Sequence, residues 1–135
     1  MKKIKLQVIA LVLVVASGFT SCSNDDDEPI LVTKKSFISA VAGPTTGRVN
    51  QELILTVSFG VDNDCGAFNK FVEITTGNTK EIEVESKYVG TNCNTIPVTK
   101  TTPYSFKATT AGTYILKFKK SATEFVTQTI VITTT

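Results

Sequence analysis

Alternation of apolar and polar residues with period two restricts this chain more than any other feature. In Glu52-Leu53-Ile54-Leu55-Thr56-Val57-Ser58-Phe59 the residues Leu53, Leu55, Val57 and Phe59 share one face of an extended strand, whereas a helix would scatter them. Glu81-Ile82-Glu83-Val84-Glu85 alternates as cleanly, with Ile82 and Val84 inward and three carboxylates outward, as an antiparallel sheet with one wet face allows. Tyr104 to Ala108 and Thr113 to Lys119 repeat the pattern around Thr109-Thr110-Ala111-Gly112; Tyr114, Leu116 and Phe118 point in, and Lys117 and Lys119 point out. Further strands are expected near Ser36 to Ala40, Phe68 to Thr75 and Phe125 to Ile132. Turn residues at Gly43-Pro44, Gly60, Gly77-Asn78 and Gly90 separate them. About seven short strands predict an all-β fold, a single antiparallel β-sandwich. There is no long amphipathic helix and no internal repeat.

A chain of 135 residues suits one small domain. It contains no histidine, which removes His-based triads, a His general base and His-ligated zinc. No phosphate loop, nucleophile elbow or zinc motif occurs, so a non-catalytic protein without cofactor is expected.

Lys2, Lys3 and Lys5 precede an apolar run from Leu6 to Ala16, and Ser17-Gly18-Phe19-Thr20-Ser21 leads into Cys22. This is the pattern of a secretory signal peptide, too short for the ~20 residues that span a bilayer. The stretch ending in Ser21-Cys22 resembles the lipobox of bacterial lipoproteins, in which the cysteine is lipidated and becomes the mature N-terminus. Asp25-Asp26-Asp27-Glu28 then resembles the acidic export signal of Bacteroidetes surface lipoproteins. The implied division is a signal peptide over 1–21, a lipidated Cys22 with a disordered acidic tether over 22–30, and a domain over 31–135. The implied location is the outer membrane, facing outward, with a periplasm-facing anchor as the alternative. The membrane is then a partner through acyl chains on Cys22, each buried CH₂ contributing about 0.8 kcal/mol. Removing the signal takes away three lysines and moves the net charge from +2 to −1. No basic stripe for nucleic acid is expected.

Thr110-Ala111-Gly112-Thr113-Tyr114 resembles the corner before the penultimate strand of bacterial immunoglobulin-like, PKD-like and fibronectin-like domains, where the tyrosine hydroxyl bonds back to the backbone. Leu116 stands where antibody domains carry their second cysteine, so the resemblance is to the immunoglobulin-like architecture rather than to antibody domains.

Cys65 and Cys93 are expected to form a disulfide in an exported domain, contributing about 3.6 kcal/mol by the loop-entropy relation. Both lie in turn-like sequence, so the bridge would tie two loops at one end. Asp62, Asn63, Asp64, Asn92 and Asn94 crowd these loops and are the candidate ligand-binding residues, suited to hydrogen bonding with sugar hydroxyls or a partner backbone. Asp62, Asp64 and Glu73 occupy the first, third and twelfth places of a calcium-loop count, but Ala67 stands at the sixth place where a glycine is needed. Glu81, Glu83 and Glu85 are the only carboxylate array for a small hydrolase. The competing reading is a charged face neutralised by Lys117 and Lys119. The functional expectation is a lipid-anchored envelope module that binds a protein or glycan. The alternative is an assembly subunit that pairs through a sheet edge.

Overall fold

The computed structural model describes residues 30–135; the signal segment, Cys22 and the acidic run lie outside the described residues. Nine strands form: β1 (Val32–Ser36), β2 (Ile38–Ala42), β3 (Thr46–Arg48), β4 (Glu52–Val61), β5 (Gly66–Thr76), β6 (Thr79–Tyr88), β7 (Val98–Lys107), β8 (Gly112–Lys119) and β9 (Phe125–Thr133). No helix occurs among the described residues.

The strands build two sheets. One has three antiparallel strands in the order β2-β4-β7, and the other is a mixed, curled sheet of six. In the larger sheet β5 runs along one whole edge of β6. The opposite edge of β6 is divided: β8 pairs in parallel with Thr79 to Ile82, and β1 pairs antiparallel with Val84 to Tyr88. Glu83 stands where β8 hands that edge over to β1. The sheet continues through β9 to β3, which pairs in parallel with β9.

The expectation of about seven purely antiparallel strands is therefore corrected on two points. The run near Ser36 to Ala40 is two strands, broken at Phe37, because β1 belongs to the larger sheet and β2 to the smaller. Three-residue β3 carries too little pattern to be seen as a strand. The second correction is the pair of parallel contacts, β6 with β8 and β3 with β9. Charge complementarity supports the first, because Glu81 on the outer face of β6 lies in register with Lys117 of β8. Strand β7 also extends back through Pro103, which its position at a sheet edge tolerates because no ladder hydrogen bond is required there.

The core lies between the sheets, and the alternation places it. Leu53, Leu55, Val57, Phe59 and Val61 of β4 are buried, as are Ile82 and Val84 of β6 and Leu116 and Phe118 of β8. Aromatic rings chain across the interior from Phe59 through Phe68, Phe71 and Tyr104 to Phe118, with centroid separations between 4.7 and 6.2 Å. Edge-to-face pairs of this kind add about 0.5–1.5 kcal/mol beyond burial. Strand β1 is fastened to β6 by a buried hydroxyl pair, Ser36 and Ser86, 2.6 Å apart. The β5–β6 hairpin closes through Gly77-Asn78; Gly77 has φ 61°, a backbone state natural for glycine at the first central position of a type II′ turn.

Candidate functional site

Strand direction decides which loops meet. β4 ends and β7 begins at the end of the sandwich where β5 begins, β6 ends and β1 starts. The two connections that cross between sheets there, 62–65 and 89–97, are joined by the Cys65–Cys93 disulfide, with Cα atoms 5.6 Å apart. The chain also enters the described domain at this end, since Val32 pairs with Tyr88. Gly66 lies beside the bridge because nothing larger fits: a Cβ there would sit 2.5 Å from the Val61 Cβ and 2.8 Å from the Tyr88 ring.

The candidate residues Asp62, Asn63, Asp64, Asn92 and Asn94 are brought to this one end, and four of them are occupied in holding it. Asp62 accepts a hydrogen bond from Lys34 Nζ at 2.8 Å, and its backbone N–H donates to the Tyr88 hydroxyl at 2.9 Å. Beside Asp62, the Lys34 ammonium is pushed above its ordinary range. Asn63 Oδ1 accepts from the Cys65 N–H at 3.0 Å, and Asn94 Oδ1 accepts from the Ile96 N–H at 3.2 Å, both local Asx turns. Asp64 Oδ1 reaches across to the Asn94 N–H at 3.1 Å, joining the two loops a second time. Asn92 is exposed on the loop surface. An open depression of about 340 Å³ runs beside the bridge, lined by Ile30, Val32, Tyr88, Gly90 and Thr91 among others.

The calcium-loop count does not assemble. Glu73 pairs in register with Ile82, seven positions along β5 from Gly66, which at ~3.3 Å per residue is roughly 20 Å from the Asp62-Asp64 turn. Its carboxylate bonds Lys80 at 3.2 Å. Asp64, Cys65 and Cys93 do lie together, but the sulfurs are joined to each other and supply no thiolate ligand.

The carboxylate row on β6 is matched by lysines from both neighbouring edges. Glu83 accepts from Lys35 of β1 and from Lys119 of β8, each at 2.9 Å. Lys117 lies 3.9 Å from Glu81, and Lys70 lies 3.9 Å from Glu85, which also accepts from Asn69 at 2.7 Å. The Glu83 side chain keeps only 19% of its exposure. The lysine hydrogen bonds outweigh that burial and hold its carboxyl below the usual range. Glycoside hydrolysis needs the opposite shift on its acid. Tyr104 carries a buried hydroxyl with no partner at hydrogen-bond distance; burial above all pushes its phenol well above the ordinary range, and the Glu73 carboxylate on its side adds to the rise.

At the opposite end Tyr114 forms the expected corner: its hydroxyl donates to the Thr110 carbonyl at 2.8 Å and lies 2.9 Å from the Thr110 hydroxyl.

No family model, curated protein or solved structure matches this chain.

Sequence reasoning missed one surface feature. Phe37, at the break between β1 and β2, is 52% exposed and lies between two surface depressions. Lone aromatics read as core in a sequence, and the only signal was the neighbouring Lys34-Lys35 and Ser36, which fit a strand end as well as a binding surface.

Proposed function

We propose that this chain is a lipid-anchored, non-catalytic binding module of a bacterial outer membrane. The observation that carries the reading is the pairing of Cys65 with Cys93: it uses two of the three cysteines and leaves Cys22, which stands in lipobox context. A structural disulfide also suits an oxidising compartment. Ile30 follows Cys22 by eight positions, a span of at most ~29 Å. The disulfide-tied end would thus be the membrane-proximal one, and its internally committed Asp and Asn side chains serve as its brace. Ligand contact then falls to the flanks of the sandwich and to the far end.

We read the fold as an immunoglobulin-like variant. The β2-β4-β7 sheet, the parallel docking of β3 on β9 and the Tyr114 corner support this. The placement of β6 rather than β5 beside β8 is its departure from the common order. Assembly by edge pairing is the weaker alternative. Pro103 interrupts the β7 edge, and β5 carries a bulge between Phe68 and Lys70 and a charged Glu73 on its core-facing side. Such devices discourage strand addition.

Mass spectrometry of the membrane-extracted protein tests the anchor. The expected N-terminus is acylated Cys22, and Cys22→Ser should release the domain from the membrane fraction. A freely diffusing wild-type product with an unmodified N-terminus would overturn the reading.

A further inference from the structure

We propose that the flank around Phe37 is a binding site for an acidic oligosaccharide, with a uronate ring stacked on the phenyl face. The inference rests on the reading of the chain as a binding module and supplies its site and ligand class. Phe37 sits where the chain passes from one sheet to the other, and its carbonyl accepts the Gly60 N–H at 3.1 Å, which fixes the crossing. On one side of the ring lies a depression of about 170 Å³ bordered by Lys35, Glu83, Lys119 and Ala122. On the other lies one of about 260 Å³ bordered by Ser39, Gly60, Thr99 and Lys120. An aromatic ridge between two shallow hollows suits an extended ligand that passes over it.

Gly60 points independently to a ligand. It lies inside β4, where glycine weakens a strand. Its φ is not positive and a Cβ built on it meets no atom within 4 Å, so neither backbone conformation nor close packing requires glycine here, although the β2–β4 bulge lies beside it. What the missing side chain does is keep the floor of the larger hollow open. The adjacent register shift between Ile38 and Ala40 leaves Ser39 out of the β2–β4 ladder on the same surface, its hydroxyl donating to the Ser58 carbonyl at 3.3 Å and keeping its acceptor sites, a bulge of the kind that re-aims side chains next to sites.

Chemistry selects the ligand class. Among the residues bordering the two hollows, Lys35, Lys119 and Lys120 outnumber the single carboxylate of Glu83. Each ammonium has three donors, and Lys35 and Lys119 each direct one to Glu83, leaving others for a ligand carboxylate. The C–H bonds on one face of a pyranose are polarised positively and meet the negative face of the phenyl ring, while its hydroxyls reach Ser39 and Thr99.

The test is titration of the ¹⁵N-labelled mature protein in detergent micelles with tetragalacturonate, and separately with neutral cellotetraose. Tetragalacturonate should shift the amides of Phe37, Ser39, Gly60, Lys119 and Lys120. Phe37→Ala and Gly60→Val should each weaken binding by about tenfold or more, with the remaining amide spectrum unchanged. Cellotetraose should bind more weakly. No response to tetragalacturonate, an equal response to the neutral sugar, or wild-type affinity in both variants would overturn the proposal. Binding mapped to another face would overturn this site while leaving the module reading intact. Binding here by a mature chain without lipid would overturn the anchor and leave this site standing.

Discussion

The disulfide-tied end and the Phe37 flank are both rich in polar groups and differ in what those groups are bonded to. At the end, the side chains of Asp62, Asn63, Asp64 and Asn94 accept hydrogen bonds from Lys34 or from backbone N–H groups of the same loops. On the flank, the Phe37 ring stays half exposed and a Cβ on Gly60 would meet open space. The lesson is that hydrogen-bonding residues clustered in loops can act as a brace, a role that only their partners in the structure reveal.

Four variants can break or sharpen this contrast. The largest effect is expected from Cys65→Ser with Cys93→Ser, which should lower unfolding free energy by about 3–4 kcal/mol in denaturant titration. A loss below about 1 kcal/mol would mean that the end is braced mainly by its hydrogen bonds. Gly66→Ala comes next: a Cβ 2.5 Å from Val61 forces overpacking, expected to reduce stability by about 1–3 kcal/mol. An unchanged melting temperature would show that the loops yield easily.

Glu83→Gln tests the clamp between β1 and β8. The folded-state carboxyl is held below its ordinary value of 4.5. Its stabilisation is therefore present above that value and lost as pH falls through the lower folded value. The advantage of wild type over the variant should be about 1 kcal/mol or less near neutrality, given the solvent screening of Lys35, and should vanish in acid. A difference that persists unchanged into acid would exclude the lysine pairs as its source. Smallest of all, Phe37→Ala should leave stability within about 0.5 kcal/mol of wild type in thermal melts. A larger loss would make Phe37 a packing residue and remove the distinction between the two regions.

Much of the architecture was legible residue by residue. The inward set of β4 and the inward Ile82 and Val84 follow from side chains alternating across a strand, a property of the local backbone. The Tyr114 corner and the partnership of Cys65 with Cys93 were also legible, the first from a short motif and the second because few cysteines remained to pair. The lysine partners of the β6 acids were half visible: Lys117 and Lys119 follow from the outward phase of β8, but Lys35 and Lys70 do not. The loop site was legible as a cluster, whereas its internal hydrogen bonds were not, since turn-forming Asp and Asn look alike in sequence whatever their acceptors meet.

By itself, then, the order of residues determined most of the strand segments and which face of each is buried, because both depend on neighbours two positions apart, while three-residue β3 and the division of β1 from β2 escaped it. Only the tertiary structure decided that β6 rather than β5 lies beside β8, that the chain changes sheets at Phe37, and that Gly60 leaves a hollow open. Those outcomes depend on contacts between residues tens of positions apart, whose competing arrangements satisfy the same alternation equally well.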